Sequence, residues 1–407
     1  GYDPDALRVD KAVAAIRACL APIAETEKVP IREALGRILA QQIVPSIDVP
    51  GHDNSAMDGY AVRGADLAPA QEVLLQQVGS AFAGRGFEDE IAKGQCVRIM
   101  TGAVMPKGAD TVVVQEVCRV EGGRVAIPAG QKRGQNVRAA GEDLKAGVPV
   151  MQPGQLLRAA EIGLIASLGI GEVEVKRRLR VAFFSTGDEL TSIGAPLKAG
   201  QVYDSNRYTL HGMLSRLGVE IIDLGVVRDD PALLEAAFRK AAASADAIIT
   251  TGGVSVGEAD FVRQLMAKLG EVLFWKIAMR PGRPMAFGRI GNAILFGLPG
   301  NPVAVMVTFY QFVRNALQFM SGMTGAEIPL PSAVSSQAIR KVPGRTEYQR
   351  GVLFDEGGVC KVRTTGQQGS GVLRSMSEAN CFIVLEHERG SVQPGEPVRV
   401  QPFEGLA

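Results

Sequence analysis

Residues 250–257, which read TTGGVSVG, could bind an oxyanion. They follow an apolar run and precede a helical pattern that begins at Asp260. Glycines let the backbone approach a ligand closely, and unpaired N–H groups beside a helix N-terminus attract oxyanions such as phosphate. We therefore predict ligand contacts at Gly252, Gly253 and Ser255, although a simple tight turn would also explain the glycines. The spacing matches neither Walker A nor GxGxxG, which argues against a P-loop ATPase or a dinucleotide dehydrogenase.

Residues 276–284 contain three cations at a turn that proline stiffens and in which glycine permits unusual backbone angles. Lys276, Arg280 and Arg283 stand at the end of a predicted strand or just after it. Guanidinium groups bind tetrahedral oxyanions through two parallel hydrogen bonds, so the arginines are candidates for an anion pocket. A solvated basic turn is the alternative interpretation.

Four carboxylates could hold a metal ion. Glu189 in STGDEL, Asp204, Asp229 and Asp260 each stand near a junction between a loop and a helix. Mg²⁺ that is bound to phosphates uses one or two carboxylates and keeps several waters, so this set beside an anion loop predicts a metal–nucleotide site. Each residue alone could also be a helix cap, and capping by itself would explain Asp204 and Asp229.

Two further loops are dense in polar residues, glycine and proline. Residues 50–62 read PGHDNSAMDGYAV and place polar side chains, including Asp58, before a strand. Residues 297–302 read GLPGNP and follow an apolar strand, and Pro302 suits the first turn of the next helix. Neither loop has a local structural reason for this composition, so both are candidates for the functional site.

The elements that must position these loops alternate between strand and helix from residue 178 to residue 327. This alternation is typical of parallel βαβ units in a doubly wound α/β domain with a mostly parallel sheet. Such sheets bind ligands beyond the carboxyl ends of their strands, where these loops would lie. The predicted strands are 179–184, 219–227, 247–251 and 272–278, and the predicted helices are 206–217, 231–243 and 260–269.

The rest of the chain predicts three further units. Residues 46–140 place short β-branched runs between glycine turns, which indicates a β-rich insert domain. Residues 1–45 and 141–177 predict a discontinuous, elongated helical linking domain. Residues 328–407 begin with a proline-rich linker and predict a small C-terminal β-barrel or sandwich. Helices are predicted at 9–23, at about 31–40 and at 159–167.

The composition limits the possible functions. Among 407 residues, 44 are basic and 43 are acidic, which argues against binding of nucleic acid or anionic lipid. No apolar run could span a membrane and the first residues do not resemble a secretory signal, so we expect a cytoplasmic protein. The five cysteines form no CxxC pair, which disfavours disulfides and zinc sites. With three histidines, a three-histidine metal centre or a Ser-His-Asp triad is disfavoured.

Taken together, these motifs resemble those of the molybdopterin molybdenumtransferases, a family that includes the E domain of gephyrin. PGHDNSAMDGYAV, STGDEL, TTGGVSVGEAD, MRPGRP and GLPGNPV occur in this order, and the similarity runs from about residue 10 to residue 403. The resemblance implies a homodimer of four-domain subunits. It implies an enzyme that binds adenylylated molybdopterin with Mg²⁺ and inserts molybdate as AMP is released, at the end of molybdenum cofactor synthesis. Contact with molybdopterin adenylyltransferase is a further expectation.

The resemblance also implies roles for individual residues. Arginine stands at positions 280 and 283 where lysine is expected, which keeps the charge but changes the geometry of oxyanion binding. The molybdate pocket would contain Arg280, Arg283, Pro284, Arg350 and Ser370. The carboxylates linked to activity would be Asp58, Asp143, Glu189, Asp229 and Asp260, of which Glu189, Asp229 and Asp260 would hold the metal. The molybdopterin nucleotide would contact Thr186, Gly187, Gly252, Gly253, Ser255, Lys276, Pro299 and Pro302.

Two other functions stay open on the sequence alone. A molybdopterin adenylyltransferase would share the α/β region and its TGG-x-S loop, but not the long N-terminal and C-terminal regions. A non-enzymatic scaffold related to the E domain of gephyrin is the other alternative. Asp58 and Arg350 lie far from the α/β region in sequence, which would fit a site completed across a dimer interface.

Overall fold

A computed structural model describes residues 5–253, 260–325 and 329–403, without the side chains of 260–263 and 274. Within that part of the chain, no helix is long and apolar enough to cross a membrane. The elements up to residue 177 are α1 (Val9–Ala18), β1 (Thr26–Pro30), β2 (Asn54–Ser55), β3 (Gly59–Val62), β4 (Val73–Ala81), β5 (Gln95–Ile99), β6 (Thr111–Val114), β7 (Arg119–Glu121), β8 (Arg124–Ile127), β9 (Val137–Arg138), α2 (Ala159–Ser167) and β10 (Glu172–Lys176).

The second half of the chain contains the α/β region and the C-terminal barrel. The α/β elements are β11 (Arg180–Thr186), β12 (Leu190–Thr191), β13 (Val202–Tyr203), α3 (Ser205–Arg216), β14 (Glu220–Val227), α4 (Pro231–Ser244), β15 (Ala247–Thr251), α5 (Asp260–Leu269), β16 (Gly270–Lys276), β17 (Met279–Arg280), β18 (Pro284–Ile290), β19 (Ala293–Leu298), α6 (Pro302–Thr308) and α7 (Arg314–Met320). The barrel elements are β20 (Ser332–Ser335), β21 (Thr346–Glu356), β22 (Val359–Thr364), α8 (Arg374–Glu378), β23 (Cys381–Leu385) and β24 (Pro397–Pro402).

The segments before and after the β-rich insert share one hydrophobic core. β1 pairs antiparallel with β10, and Leu39 packs in the same cluster as Leu157 and Ile165. Helix α1 contributes to a different core, because Ala12 and Ile16 pack with residues of the α/β sheet. The domain boundaries expected from the sequence stay a prediction.

The helix predicted at about residues 31–40 is wrong. These residues form one short 3-10 helix, Ile31–Glu33, followed by a turn at 35–36 and isolated β-bridges at Ile38 and Leu39. Gly36 has a φ of +74°, which is incompatible with a continuing right-handed helix. The backbone N–H of Leu39 then donates to Gln155 O at 2.9 Å, so pairing with a distant segment replaces the local helix.

The insert contains a six-stranded sheet with the order β6-β3-β5-β4-β8-β7. Neighbouring strands are antiparallel, apart from the parallel pair β4 and β5. Side chains such as Val113 and Val125 are buried on one face of this sheet, and Val97 and Val112 are buried on the other. The prediction of a β-rich insert within a mixed multidomain fold is confirmed.

The α/β unit is built on a six-stranded sheet with the order β14-β11-β15-β19-β18-β16. β14, β11, β15 and β19 are parallel, and β18 is antiparallel to both of its neighbours. Phe183 and Phe184 point to opposite faces and enter different cores. Leu210 of α3 packs on the first face and Phe238 of α4 on the second. The predicted doubly wound, mostly parallel sheet is therefore confirmed.

Aspartates begin two of the covering helices. Asp204 is the N-cap of α3, and its Oδ1 accepts from Arg207 N at 3.2 Å. Asp230 is the N-cap of α4, and its Oδ1 accepts from Ala232 N at 2.9 Å. Asp204 is therefore a helix cap, as the alternative interpretation proposed. Asp229 is not the cap of α4, because its neighbour Asp230 has that role.

The C-terminal unit is a five-stranded barrel, which confirms one of the two small β folds that the sequence predicted. Its strands follow the order β21-β22-β20-β24-β23, and pairing of β21 with β23 closes the barrel. β17 adds to the barrel from outside, because Met279 and Arg280 pair in parallel with Thr346 and Glu347 of β21. The turn that follows β16 in the α/β unit is thus attached to the barrel.

Candidate functional site

A cleft of about 870 Å³ opens where the carboxyl edge of the α/β sheet meets the barrel. Its walls come from the β12–α3 region, residues 279–284 of the basic turn, the loop before α6, and barrel residues 345 and 368–370. This is the position at which doubly wound sheets bind ligands. The predicted site residues that line it are Glu189, Asp204, Arg280, Arg283, Pro284, Pro299, Pro302 and Ser370.

Several predicted nucleotide and metal residues meet at the carboxyl edge of the sheet. The Thr186 hydroxyl at the end of β11 donates to Asp229 Oδ1. The backbone N–H of Asp229 donates to Asp188 Oδ1 at 3.4 Å. A Cβ atom on Gly187 would lie 2.5 Å from Glu189 Oε2. The structure therefore brings Thr186, Gly187, Glu189 and Asp229 together next to the cleft.

The glycine loop after β15 approaches β11 closely. Gly252 has a φ of +88°, and a Cβ atom there would lie 2.3 Å from the carbonyl oxygen of Thr186. Gly253 follows with a φ of +66°. Gly300 is close to the same loop, since a Cβ atom on Gly300 would lie 3.8 Å from Gly252 Cα. Glycine at position 252 is thus required by the fold itself, in addition to any ligand.

The basic turn is fixed by its neighbours while its cations stay accessible. Arg280 and Arg283 are exposed and line the cleft. Pairing with Glu347 of β21 holds the backbone of Arg280. Gly282 has a φ of +94°, and a Cβ atom there would lie 2.6 Å from a hydroxyl on α6. Lys276 ends β16, is exposed, and lies outside the set of described residues that line the cleft.

Arg350 stands behind the cleft and is 1% exposed. Its Nε donates to Ser375 Oγ at 3.0 Å, and its Nη2 donates to Gly369 O at 3.1 Å. Burial and the nearby charge of Arg280 lower the pKa of Arg350 to about 10. Two cations this close together favour an anion beside them, and Gly369 leads directly into Ser370 on the cleft wall.

Two predicted carboxylates are not brought to this cleft within one chain. Asp58 precedes β3 in the insert, and its Oδ1 accepts from the backbone N–H of Thr101 at 2.8 Å and from its hydroxyl at 2.7 Å. These hydrogen bonds lower the pKa of Asp58. Asp143 is exposed on the connection that returns from the insert. Neither carboxylate is among the described residues that line the cleft.

The other two predicted residues fall in or beside the loop after Gly253. Ser255 lies outside the described residues. Asp260 begins α5, as the sequence predicted, and its side chain is likewise outside the description. The roles assigned to Ser255 and Asp260 therefore stay predictions.

The cleft also contains polar residues that the sequence motifs did not indicate. Arg345 and Gln368 come from the barrel, and Gln368 Oε1 accepts from the backbone N–H of Arg350 at 2.7 Å. Asn206 lies in the first turn of α3, where its Nδ2 donates to Gly300 O at 2.7 Å. No local spacing marks these positions in the sequence, because the fold alone brings them to the ligand crevice.

Three family models match consecutive parts of the chain. MoeA N-terminal region (domain I and II) matches residues 7–169, Probable molybdopterin binding domain matches residues 182–318, and MoeA C-terminal region (domain IV) matches residues 332–403. A molybdopterin molybdenumtransferase of Haemophilus influenzae is 46% identical over 385 residues, which cover 94% of this chain and 95% of that protein. The chain belongs to the molybdopterin molybdenumtransferase family. It is therefore a transferase of molybdenum cofactor biosynthesis, and the resemblance inferred from the motifs is confirmed.

Relatives of this chain match more than nine tenths of its length. A molybdopterin molybdenumtransferase of a Nostoc species is 39% identical, over 92% of this chain and 88% of that protein. Gephyrin of Dictyostelium discoideum is 33% identical, over 92% of this chain and 59% of that protein. The crystal structure of a molybdopterin biosynthesis moeA protein from Pyrococcus horikoshii OT3 matches with a TM-score of 0.85 at 30% identity, and covers 98% of this chain and 100% of that chain. The family fold therefore includes the barrel that forms one wall of the cleft.

Proposed function

We propose that this enzyme inserts molybdate into adenylylated molybdopterin and releases AMP, as the final step of molybdenum cofactor synthesis. The cleft is the observation that carries the proposal. Arg280 and Arg283 line it beside the carboxyl edge of a doubly wound sheet. Since the net charge of the chain is only +1, these arginines supply the local positive charge that an oxyanion needs next to phosphates.

Molybdate and the nucleotide would bind to different walls of the cleft. Molybdate would bind at Arg280, Arg283, Pro284 and Ser370, with the buried charge of Arg350 behind them. The nucleotide and its phosphates would lie along the sheet edge, where the N-termini of the following helices present backbone N–H groups. That edge contains the predicted contacts Thr186, Gly187, Gly252, Gly253, Pro299 and Pro302.

The residues of the cleft suit cleavage of a phosphoanhydride. Such a reaction mainly requires neutralisation of charge and positioning of the phosphates, so it needs no protein nucleophile. Histidine and cysteine do not occur among the described residues that line the cleft, and this chemistry does not require them. Arginine and backbone donors supply the charge stabilisation instead.

Mg²⁺ fits the carboxylates next to the cleft. Glu189 lines the cleft and Asp229 lies at the adjoining sheet edge. No group of three or more His, Cys, Asp or Glu residues is placed to hold a metal ion within the described part of the chain. Mg²⁺ typically takes one or two protein carboxylates and completes its shell with water and phosphate oxygens. Glu189 and Asp229, with Asp260, would orient that ion against the phosphates.

In a homodimer, the remaining predicted carboxylates would act at the cleft of the other subunit. Asp58 is bound to Thr101 in the insert, away from the cleft of its own chain, and Asp143 lies on the connection from the same insert. Both would act if the insert of one subunit reached the cleft of the other. We also propose that the enzyme works in the cytoplasm and receives its substrate in contact with molybdopterin adenylyltransferase.

The test is an assay of AMP release from adenylylated molybdopterin with Mg²⁺ and molybdate. We expect release by the wild type and a loss of at least about tenfold in Arg280→Ala at low molybdate concentration. Arg289→Ala is the matched control, because Arg289 is an exposed arginine of β18 outside the described cleft lining. Consumption of ATP with molybdopterin would instead indicate an adenylyltransferase, and neither reaction would indicate a scaffold.

A further inference from the structure

Two buried oxygen atoms in the cleft have no hydrogen-bond partner among the residues that the structure describes. They are Asp204 Oδ2 and Asn206 Oδ1. Asp204 is 2% exposed and Asn206 is 7% exposed, and both residues line the cleft. A buried polar atom without a partner is unfavourable, because it loses its bonds to water without replacement. These atoms therefore point to a ligand that donates hydrogen bonds.

The structure fixes which atom of each side chain is left without a partner. Asp204 Oδ1 caps α3 by accepting from Arg207 N at 3.2 Å, which leaves Oδ2 for the ligand. Asn206 Nδ2 lies 2.7 Å from the carbonyl oxygen of Gly300. A carbonyl oxygen accepts only from the NH₂ side of the amide, so this contact sets the orientation of Asn206 and leaves Oδ1 for the ligand. Both free positions are thus acceptors.

A pair of acceptors excludes several possible ligands. Phosphate and molybdate oxygens are acceptors themselves and would be repelled by a carboxylate. Adenine presents one amino group next to ring nitrogens that accept. The pyrimidinone edge of a pterin presents an amino group next to a ring N–H, so it offers adjacent donors. Asp204 at the N-cap of α3 and Asn206 in its first turn supply two acceptors beside one cleft, which is the complement that the pterin edge requires.

We propose that Asp204 and Asn206 recognise the aminopyrimidinone edge of the pterin. Asp204 Oδ2 and Asn206 Oδ1 each accept one N–H group of the ring. This assignment rests on the proposed function, because it takes the pterin as part of the substrate. It places the ring at the start of α3, on a different wall of the cleft from Arg280 and Arg283.

Asp204→Asn tests the assignment with little effect on the helix. Asparagine ranks with aspartate as an N-cap, so Oδ1 still accepts from Arg207 N. The atom at the position of Oδ2 becomes an NH₂ group, which opposes the N–H donors of the ring. Asp230→Asn is the matched control, because Asp230 caps α4 in the same way and lies outside the described cleft lining.

Binding is measured on the full chain by fluorescence titration with molybdopterin, with AMP alone and with Mn²⁺ alone. We expect Asp204→Asn to weaken molybdopterin binding by at least about tenfold and to keep AMP binding within about twofold. Asp230→Asn should leave both affinities within about twofold. Asn206→Ala is a second variant that keeps the cap residue, and it should show the same selective loss of molybdopterin binding.

Three results would overturn the assignment. The first is an unchanged molybdopterin affinity in both variants. The second is a loss of AMP affinity equal to the loss of molybdopterin affinity, which would indicate a deformed cleft. Mn²⁺ binding could be lost while molybdopterin affinity is kept, which would indicate a cation site. If the wild type releases no AMP from adenylylated molybdopterin, the proposed function itself is refuted, and this outcome is distinct from a failure of the variants.

Discussion

Gly252→Ala tests how closely the glycine loop and β11 approach each other at the sheet edge. Alanine at a φ of +88° adopts a left-handed backbone, which costs roughly 1–2 kcal/mol. The new Cβ atom would also lie 2.3 Å from the Thr186 carbonyl oxygen, a backbone atom of a buried strand. Overpacking of this kind costs about 1–3 kcal/mol. We therefore expect a total destabilisation of about 2–5 kcal/mol.

Gly225→Ala separates the two contributions. Gly225 lies in β14 of the same α/β unit and has a φ of +81°, but a Cβ atom there would meet nothing within 4 Å. This control should lose only about 1–2 kcal/mol from its backbone conformation. The contact with Thr186 should then appear as a further loss of about 1–3 kcal/mol in Gly252→Ala.

Differential scanning calorimetry measures both variants against the wild type. For a unit of this size, 1 kcal/mol corresponds to a Tm shift of about 2–4 °C, so Gly252→Ala should melt roughly 2–12 °C below Gly225→Ala. Thr186 donates to Asp229 beside the cleft, so AMP release should also fall further in Gly252→Ala. Equal melting temperatures for the two variants would refute the reasoning, because the Thr186 carbonyl would then have moved without cost.

Four further predictions follow from other parts of the chain. Arg350→Ala should weaken molybdate binding by about 1.5–3 kcal/mol and largely keep binding of adenylylated molybdopterin, as measured by calorimetric titration; equal loss of both contradicts it. Asp260→Asn should keep the Tm within a few degrees but lower AMP release at least roughly tenfold, and full turnover would reduce Asp260 to a cap. Burial opposes ionisation of Asp246, but hydrogen bonds from Arg177 and Arg180 N outweigh it and lower its pKa. Its stabilising effect should thus be present above pH 3.8 and disappear as the pH falls through the lowered pKa, so acid unfolding curves of Asp246→Asn and wild type should converge. Light scattering should give twice 43.1 kDa, and a mass of 43.1 kDa at micromolar concentration would exclude the dimer.

The sequence predicted elements well where local pattern and tertiary packing agree. The strand at 247–251 and the helix at 260–269 have the same limits in the structure. At residues 31–40 the local pattern favoured a helix, but Gly36 adopts a left-handed φ and Leu39 bonds to Gln155. That partner lies far along the chain, so no window of sequence around residue 39 contains the information.

The same distinction applies to the cleft. Glu189, Arg280 and Pro302 could be predicted because each lies within a few residues after the end of a strand of the α/β sheet, and the sheet topology gathers such positions. Arg345 and Gln368 could not be predicted, because they enter from the barrel and belong to no recognisable motif. The resemblance pointed to Arg350, but its burial behind the cleft wall depends on packing that the sequence does not reveal.

The attachment of β17 to the barrel limits how this enzyme can be divided, fused or recombined. A fragment that ended before residue 329 would contain the complete α/β sheet, but β17 would lack its ladder with β21. The same fragment would lack Arg345 and Ser370 from the cleft wall. Neither unit therefore carries the anion pocket by itself. A barrel exchanged between family members must match the backbone of its recipient at Met279 and Arg280, so we expect the two units to be inherited together.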